Sequence, residues 1–160
     1  MSTVQIRLAN LDTEEFAALI EAHKSLMLEH SPPESSHALL IDGLKDPAIT
    51  IWEMRDGGDL VGCGALKRLQ SGEGEIKSMH TVAKRRGQGL GQTMLDHIVA
   101  EAQKLSLERL SLETGSMEGF LPARKLYEAN GFSYCGPFGD YVEDPNSVFM
   151  TRRLDAPASA

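Results

Sequence analysis

The segment RRGQGLG at residues 85–91 constrains this chain most, because it places two arginines and three glycines in seven positions. An alternating segment, EIKSMHTV at 75–82, precedes it and predicts a strand, and apolar residues at helical spacing follow it. Glycines between a strand and a helix let the backbone approach a ligand without a Cβ in the way. Amide groups at a helix start, together with the arginine charges, favour a phosphate or pyrophosphate.

Two familiar phosphate-binding motifs do not fit this segment. A P-loop requires Lys-Ser or Lys-Thr after the glycines, and neither follows them. The dinucleotide motif would need a glycine at position 92, which is Gln92. A nucleotide-binding P-loop is therefore disfavoured, and a flexible basic surface turn is the alternative for the segment taken alone.

The rest of the chain predicts one α/β domain over residues 3–154, followed by a frayed tail at 155–160. Strands are predicted at 3–9, 48–55, 60–69, 75–82, 109–114, 132–135 and 147–154. Helices are predicted at 11–28, 36–44, 89–105 and 121–132. Asp12 is expected to cap the first helix, and the turn at 56–59 (DGGD) predicts a β-hairpin. The order indicates a mixed sheet with helices on its faces.

Composition excludes several classes of function. The net charge of −7 over 160 residues argues against general nucleic-acid binding. No signal peptide or apolar run of membrane-spanning length is visible, so a cytoplasmic protein is expected. Cys63 and Cys135 are expected to stay reduced and packed as small apolar residues. His23, His30 and His37 recur every seven residues, but nothing completes a tetrahedral set with them, so no metal is predicted.

Segments along the chain resemble the GNAT superfamily of N-acetyltransferases. Residues 86–91 (RGQGLG) fit its acetyl-CoA pyrophosphate motif R/Q-x-x-G-x-G/A, and ARKLYEANGF resembles its A-x-x-L-Y-x-x-x-G-F segment. EIKSMHT, LSLETG and NSVFM are similar to a group of small bacterial acetyltransferases. The resemblance covers nearly the whole chain. It implies a GNAT fold, with a mixed, mostly antiparallel sheet of about seven strands flanked by about four helices.

The resemblance also implies an activity and its ligands. Acetyl-CoA would be the co-substrate, and the acetyl group would pass to a primary amine by direct attack in a ternary complex. Backbone groups of the central strand would pair with the pantetheine arm: Met79, Thr81 and Val82. Backbone N–H groups would bind the pyrophosphate, with Arg86 beside it: Gly87, Gln88, Gly89, Leu90 and Gly91. The alternative is a non-catalytic acyl-CoA-binding sensor or partner module.

Two positions near the predicted fourth helix bear on the cofactor thiol. Tyr127 matches the family tyrosine whose hydroxyl lies near the cofactor sulfur, where it would protonate the leaving thiolate. Spacing alone allows a core tyrosine instead. Phe120 stands where family members often carry an asparagine that contacts the cofactor. Ser116 or Glu118 could replace that contact.

Three residues are candidates for the base that takes the proton from the acceptor: Glu75, His80 and Glu113. Strict strand alternation puts Glu75 and His80 on opposite faces, and a β-bulge would change that count. Trp52 and Tyr141 are candidate aromatic walls of the acceptor pocket. Exposed edge strands are compatible with a homodimer.

Overall fold

The computed structural model describes residues 4–32 and 40–154. The predicted tail at 155–160 lies outside the described residues, as does His37 with most of the first half of the helix predicted at 36–44. Within the described part, no helix is long and apolar enough to cross a membrane.

Seven strands and four α-helices make up the described chain. The strands are β1 (Val4–Leu8), β2 (Ile49–Asp56), β3 (Asp59–Arg68), β4 (Glu73–Thr81), β5 (Arg109–Gly115), β6 (Ser133–Cys135) and β7 (Ser147–Arg153). The helices are α1 (Glu14–His30), α2 (Ile41–Leu44), α3 (Leu90–Lys104) and α4 (Leu121–Ala129). The strands form one sheet in the order β1-β2-β3-β4-β5-β7-β6, and β4–β5 is its parallel pair. The predicted mixed, mostly antiparallel sheet is confirmed.

Helices cover both faces of this sheet. On one face, α3 and α4 pack on a core that includes Met54, Ile76, Met94 and Tyr127. On the other face, α1 and α2 close a smaller core around residues such as Phe16. The parallel connection from β4 to β5 runs through α3, as a parallel pair requires a crossover.

Two strands at the centre of the sheet separate part-way along their length. Residues 73–76 of β4 pair with residues 109–112 of β5. Beyond Ile76, no pair joins these two fully described strands, so 77–81 and 113–115 diverge. The divergence leaves a wedge in the middle of the sheet, at the carboxyl ends of its only parallel pair within the described chain.

A β-bulge interrupts β4 beside this wedge. Cys63 of β3 pairs with His80, and Ala65 pairs with Lys77, so two steps on β3 correspond to three on β4. Ser78 absorbs the extra residue with a φ of 54°. The bulge puts His80 on the same face as Lys77, whereas strict alternation predicted opposite faces.

Local structure confirms the predicted hairpin and corrects the first cap. Gly57 and Gly58 have φ values of 60° and 97°, as a tight hairpin turn between β2 and β3 requires. The cap predicted at Asp12 is wrong, because the Thr13 hydroxyl accepts a hydrogen bond of 3.2 Å from the Phe16 N–H. Asp12 lies one residue too early for this bond.

The two cysteines differ in their surroundings. Both thiols are free, but Cys63 is buried and Cys135 is exposed. The burial predicted for Cys135 is therefore wrong. Its strand, β6, is short and forms an edge of the sheet, with all three residues exposed.

Candidate active site

A cavity of about 140 Å³ lies at the wedge between β4 and β5. Its wall is formed by α1, β4, β5, α4 and the segments around them. The lining includes Met27, Glu75, Lys77, Phe120, Tyr127 and Tyr141. Glu75 lies on the α1 face of the sheet, as does its neighbour Lys77, while Tyr127 belongs to the core on the α3 face. The cavity therefore joins the two faces through the opening in the sheet.

Glu75 is held by two donors that use the same oxygen. The Tyr141 hydroxyl donates to Glu75 Oε2 at 2.6 Å, and Lys77 Nζ lies 3.1 Å from that oxygen. Lys77 also donates to the Tyr141 hydroxyl at 3.0 Å. Glu75 is only 4% exposed, and it lines the cavity. Two donors thus fix one oxygen of a carboxylate that lies at the cavity wall.

Tyr141 and Tyr127 both line the cavity, and both hydroxyls are protonated at neutral pH. Burial raises the pKa of Tyr127 well above its usual 10. Burial and the negative charge of Glu75 do the same for the pKa of Tyr141. The Tyr127 ring packs edge-on against Phe132, with ring centres 5.6 Å apart. Each hydroxyl is therefore a proton donor at neutral pH.

His80 does not line the cavity, but it contacts a residue that does. Its Nδ1 lies 3.1 Å from Nδ1 of His23, and the two rings pack edge-on. Burial, reinforced by Arg86, lowers the pKa of His80 to about 4. Burial, reinforced by His80, lowers the pKa of His23 to about 4. Both rings are neutral at pH 7, and one Nδ1–H donates to the other Nδ1. Glu113, the third candidate base, lines the cavity from β5.

Phe120 fills its part of the wall with an apolar ring. The ring lies directly over Gly115, where an added Cβ would come within 2.1 Å of it, and packs edge-on against His30. Ser116 donates its hydroxyl to the Pro145 carbonyl at 2.7 Å, and Glu118 is exposed. Neither residue lines the cavity.

Trp52 is not part of this cavity. It is 6% exposed and packs in the core on the α3 face, edge-on to His97. Its expected role as a pocket wall is therefore wrong, because the register of β2 against β3 points it to the opposite face from α1. Tyr141, the other expected wall, does line the cavity.

The glycine segment forms an exposed turn before α3. Gly87 and Gly89 have φ values of 78° and 81°, and Gly89 occupies the N-cap position ahead of Leu90. A Cβ added to either glycine would meet no atom within 4 Å. Glycine is therefore needed here for the backbone conformation and not for space. The turn presents its backbone to solvent at the start of a 15-residue helix.

The two arginines before this turn have different partners. Arg85 Nη2 lies 2.6 Å from Asp56 Oδ2, and Arg85 Nε donates to Gln88 Oε1 at 2.8 Å. Arg86 is exposed and donates from Nε to the Thr81 carbonyl at 3.2 Å. The expectation that both charges serve an anion site is corrected, because an aspartate compensates the charge of Arg85.

The residues expected to meet the pantetheine arm are only partly available. Met79 lines the cavity. The Thr81 carbonyl accepts from Arg86, the Val82 N–H donates to the Val61 carbonyl at 2.9 Å, and the Val82 carbonyl accepts from the Arg85 N–H at 2.9 Å. The divergent part of β4 near Met79 is therefore the stretch that faces the wedge.

Sequence reasoning missed a side-chain link between α3 and the end of α4. Gln92 and Asn130 exchange two amide hydrogen bonds, at 2.7 and 2.9 Å. Gln92 lies in the first turn of α3, and Asn130 lies three residues after Tyr127. No local motif predicts this pair, the contact of Lys77 with Tyr141 or the contact of Asp56 with Arg85, because the two partners lie far apart in sequence in each case.

Comparison with known proteins agrees with this architecture. The sequence model of the Acetyltransferase (GNAT) family matches residues 13–132. The uncharacterized N-acetyltransferase YsnE of Bacillus subtilis is 52% identical, over 94% of this chain and 100% of its own length. YedL of Escherichia coli, also an uncharacterized N-acetyltransferase, is 46% identical over 86% of each chain. The IAA acetyltransferase of Azospirillum brasilense is 38% identical over 85% of this chain and 88% of its own.

Solved structures give the same picture of the fold. A Klebsiella pneumoniae protein assigned as an acyl-CoA N-acyltransferase has a TM-score of 0.74 and 31% identity, covering 95% of this chain and 98% of its own. A GNAT family acetyltransferase from Elizabethkingia anophelis, solved with acetyl-CoA bound, has a TM-score of 0.70 at 17% identity. The second match covers 96% of this chain and 100% of that protein, and it shows the shared fold.

Proposed function

The chain belongs to the GNAT family of acetyltransferases, and on that premise we propose that it transfers an acetyl group from acetyl-CoA to a primary amine by direct attack in a ternary complex. The family uses acetyl-CoA, and its members are acyltransferases. The observation that carries the proposal is the cavity at the wedge, because it holds a carboxylate and a protonated phenol in one enclosure that crosses the sheet.

The glycine turn is the proposed pyrophosphate site. Backbone N–H groups of residues 87–91 would bind the diphosphate, and the exposed guanidinium of Arg86 would add charge. From there the wedge leads toward Met79, where β4 has no strand neighbour on the β5 side among the described residues. An extended thiol arm could lie in that opening, alongside the backbone of β4.

Glu75 is the proposed proton acceptor for the amine. An alkyl amine has a pKa near that of lysine, about 10.4, so it must lose a proton before it can attack. The Glu75 carboxylate lines the cavity, and Tyr141 and Lys77 fix its Oε2. His80 could serve only through His23, because His80 does not line the cavity. Glu113 lines the cavity and is the remaining alternative.

Tyr127 is the proposed donor to the leaving thiolate. Its hydroxyl is protonated at neutral pH because burial raises its pKa, and it lines the cavity with Glu75. A thiolate that departs from a tetrahedral intermediate is stabilised by such a donor. Glu75 and Tyr127 would thus act on the two ends of the reaction from opposite faces of the sheet.

The test is release of free thiol from acetyl-CoA in the presence of a panel of acceptors. The panel holds alkyl amines, amino acids and peptides with free N-termini. It also holds IAA, the compound in the name of the Azospirillum relative. Wild-type protein should turn over at least one amine. Glu75→Gln and Tyr127→Phe should each lower kcat by about 10²-fold. Tyr134→Phe is the matched control, because Tyr134 is an exposed tyrosine bonded to Glu128 on the surface.

A second candidate function is non-catalytic acyl-CoA binding, which the apolar Phe120 at the expected asparagine position favours. Tight calorimetric binding of acetyl-CoA without transfer to any acceptor would support this alternative. Absence of acetyl-CoA binding to the folded protein would reject both functions.

Sedimentation would test the proposed homodimer, for which the sheet edges β1 and β6 are candidate surfaces.

A further inference from the structure

The side chain of Arg85 connects the glycine turn to the tip of the β2–β3 hairpin. Its Nη2 lies 2.6 Å from Asp56 Oδ2, and its Nε lies 2.8 Å from Gln88 Oε1. Gln88 stands between Gly87 and Gly89, the two positive-φ residues of the turn. One guanidinium group therefore spans from a hairpin residue to the middle of the turn, although 29 residues of sequence separate Arg85 from Asp56.

The hairpin end of this connection is itself braced. Asp56 is the last residue of β2, immediately before the two-glycine turn. The neighbouring Arg55 donates to the Gly58 carbonyl at 2.8 Å across that turn and pairs with Glu15 of α1 at 2.6 Å. Asp56 is thus an anchor point with little freedom, because its strand, its turn and a helix are tied together.

Apart from Gln88, the turn is held at its helix end, where the Gly89 carbonyl accepts from the Thr93 N–H at 3.1 Å and from the Thr93 hydroxyl at 3.0 Å. Residues 87–89 are exposed, and both glycines face open space. Glycine loses more conformational freedom on ordering than any other residue, so a glycine turn left to itself would sample many conformations. A restraint on Gln88, at the centre of the turn, keeps the neighbouring N–H groups in place before a ligand arrives.

We propose that Asp56 and Arg85 are positioning residues for coenzyme A: they act through Gln88 to hold the turn at 87–91 in its diphosphate-binding conformation. This inference rests on the proposed function. It also assigns different roles to the two adjacent arginines, since Arg86 would meet the diphosphate and Arg85 would set the backbone that binds it. Neither Asp56 nor Arg85 needs to touch the ligand.

The substitution Asp56→Asn separates this role from simple electrostatics. Removing a negative charge near an anion site should strengthen the binding of anionic coenzyme A if charge alone matters. Asparagine can still accept a hydrogen bond, but it carries no charge, so the ion pair that holds Arg85 is lost. A weakened restraint predicts the opposite sign, because binding must then order the turn. The Kd should rise about tenfold, which corresponds to the free-energy cost of fixing the backbone of one additional residue.

Asp59→Asn is the matched control. Asp59 faces Asp56 across the same hairpin turn and is exposed, and its side chain has no hydrogen bond or ion pair with any described residue. It carries the same charge at a similar place but takes no part in the connection to Gln88. This variant should bind coenzyme A as tightly as wild type or slightly more tightly. A second variant, Arg85→Met, should weaken coenzyme A binding as Asp56→Asn does.

The experiment measures the Kd of coenzyme A by calorimetry and that of pantetheine by NMR titration for wild type and the three variants. Asp56→Asn and Arg85→Met should weaken coenzyme A about tenfold and leave pantetheine, which has no diphosphate, within twofold. Amide hydrogen exchange at residues 87–90 should also accelerate in both variants. These results would support the inference, since a general structural defect would weaken both ligands.

Two outcomes would overturn the inference alone. The first is coenzyme A binding by Asp56→Asn that equals or exceeds that of wild type, and the second is an equal loss of coenzyme A and pantetheine. Wild-type protein that binds no coenzyme A would reject the proposed function, and this inference with it.

Discussion

Acidification should destabilise this protein through the buried pair of His23 and His80. Both rings are neutral at pH 7, because burial lowers the pKa of each from 6.5 to about 4. In the unfolded chain the same rings titrate near pH 6.5. Between pH 6.5 and 4 the unfolded state therefore binds more protons than the folded state. The free energy of unfolding falls as the pH falls through this window.

The size of the effect follows from the pKa change. An imidazole whose pKa falls from 6.5 to about 4 on folding lowers the free energy of unfolding by about 3 kcal/mol once it is fully protonated. That is a large share of a typical stability of about 5–15 kcal/mol. The 3.1 Å contact of His23 with His80 couples the two events. One ring can take a proton with the Nδ1–H···Nδ1 bond intact, but two protons would set two N–H groups face to face.

The assay is urea unfolding of wild type and His23→Gln at pH values from 7 to 4.5. Glutamine can still hydrogen bond to His80 Nδ1, but it cannot take up a proton in this range. Between pH 7 and 4.5, wild type should lose about 2 kcal/mol more than the variant. Carboxylates elsewhere titrate alike in both proteins, so the difference reports the titration of His23 together with its coupling to His80. Parallel curves would refute the argument that His23 is buried in its neutral form.

Three further predictions concern the cavity and the glycine turn. Because burial raises the pKa of Tyr127 above 10, ionisation of this hydroxyl should not reduce kcat between pH 8 and 10. A decline of kcat in wild type over this range that is absent from Tyr127→Phe would contradict this. Gly115→Ala should lower the free energy of unfolding by about 1–3 kcal/mol, since the new Cβ would lie 2.1 Å from the Phe120 ring; urea unfolding checks this, and an unchanged midpoint would contradict it. Gly89→Ala should lower both the free energy of unfolding and the affinity for acetyl-CoA, because alanine is strained at a φ of 81° although no atom obstructs it. Urea unfolding and calorimetry test this. Unaltered affinity would contradict the assignment of the turn as the pyrophosphate site.

Much of the fold could be predicted from local pattern. The seven strands and the hairpin turn were set by alternation and by the glycines at 57 and 58. Apart from the start of the helix predicted at 36–44, which lies outside the described residues, the limits of strands and helices moved by only a few residues. The cap moved from Asp12 to Thr13, because a cap depends on the backbone angle of one residue, and sequence does not specify that angle closely.

The candidate site was less accessible to sequence reasoning, because its geometry depends on distant partners. Strict strand alternation predicted that Glu75 and His80 lie on opposite faces of β4. Only the register of β4 against β3 shows the extra residue at Ser78 that changes this. The sequence predicted that Arg85 contributes charge to the phosphate site, but in the structure it pairs with Asp56, which is 29 residues away in sequence. The fixed oxygen of Glu75 likewise depends on Tyr141, which lies 66 residues away. Such contacts leave no periodic trace in the chain.

The amide pair of Gln92 and Asn130 fixes the spacing between two parts of the proposed acetyl-CoA site. It ties the first turn of α3 to the end of α4, and with it the glycine turn to Tyr127. The distance from diphosphate to thiol would then be set by one rigid unit, which favours an arm of fixed length. Neither α1 nor Tyr141 belongs to that unit, so the choice of acceptor could differ among relatives while the spacing of the acetyl-CoA site stays the same.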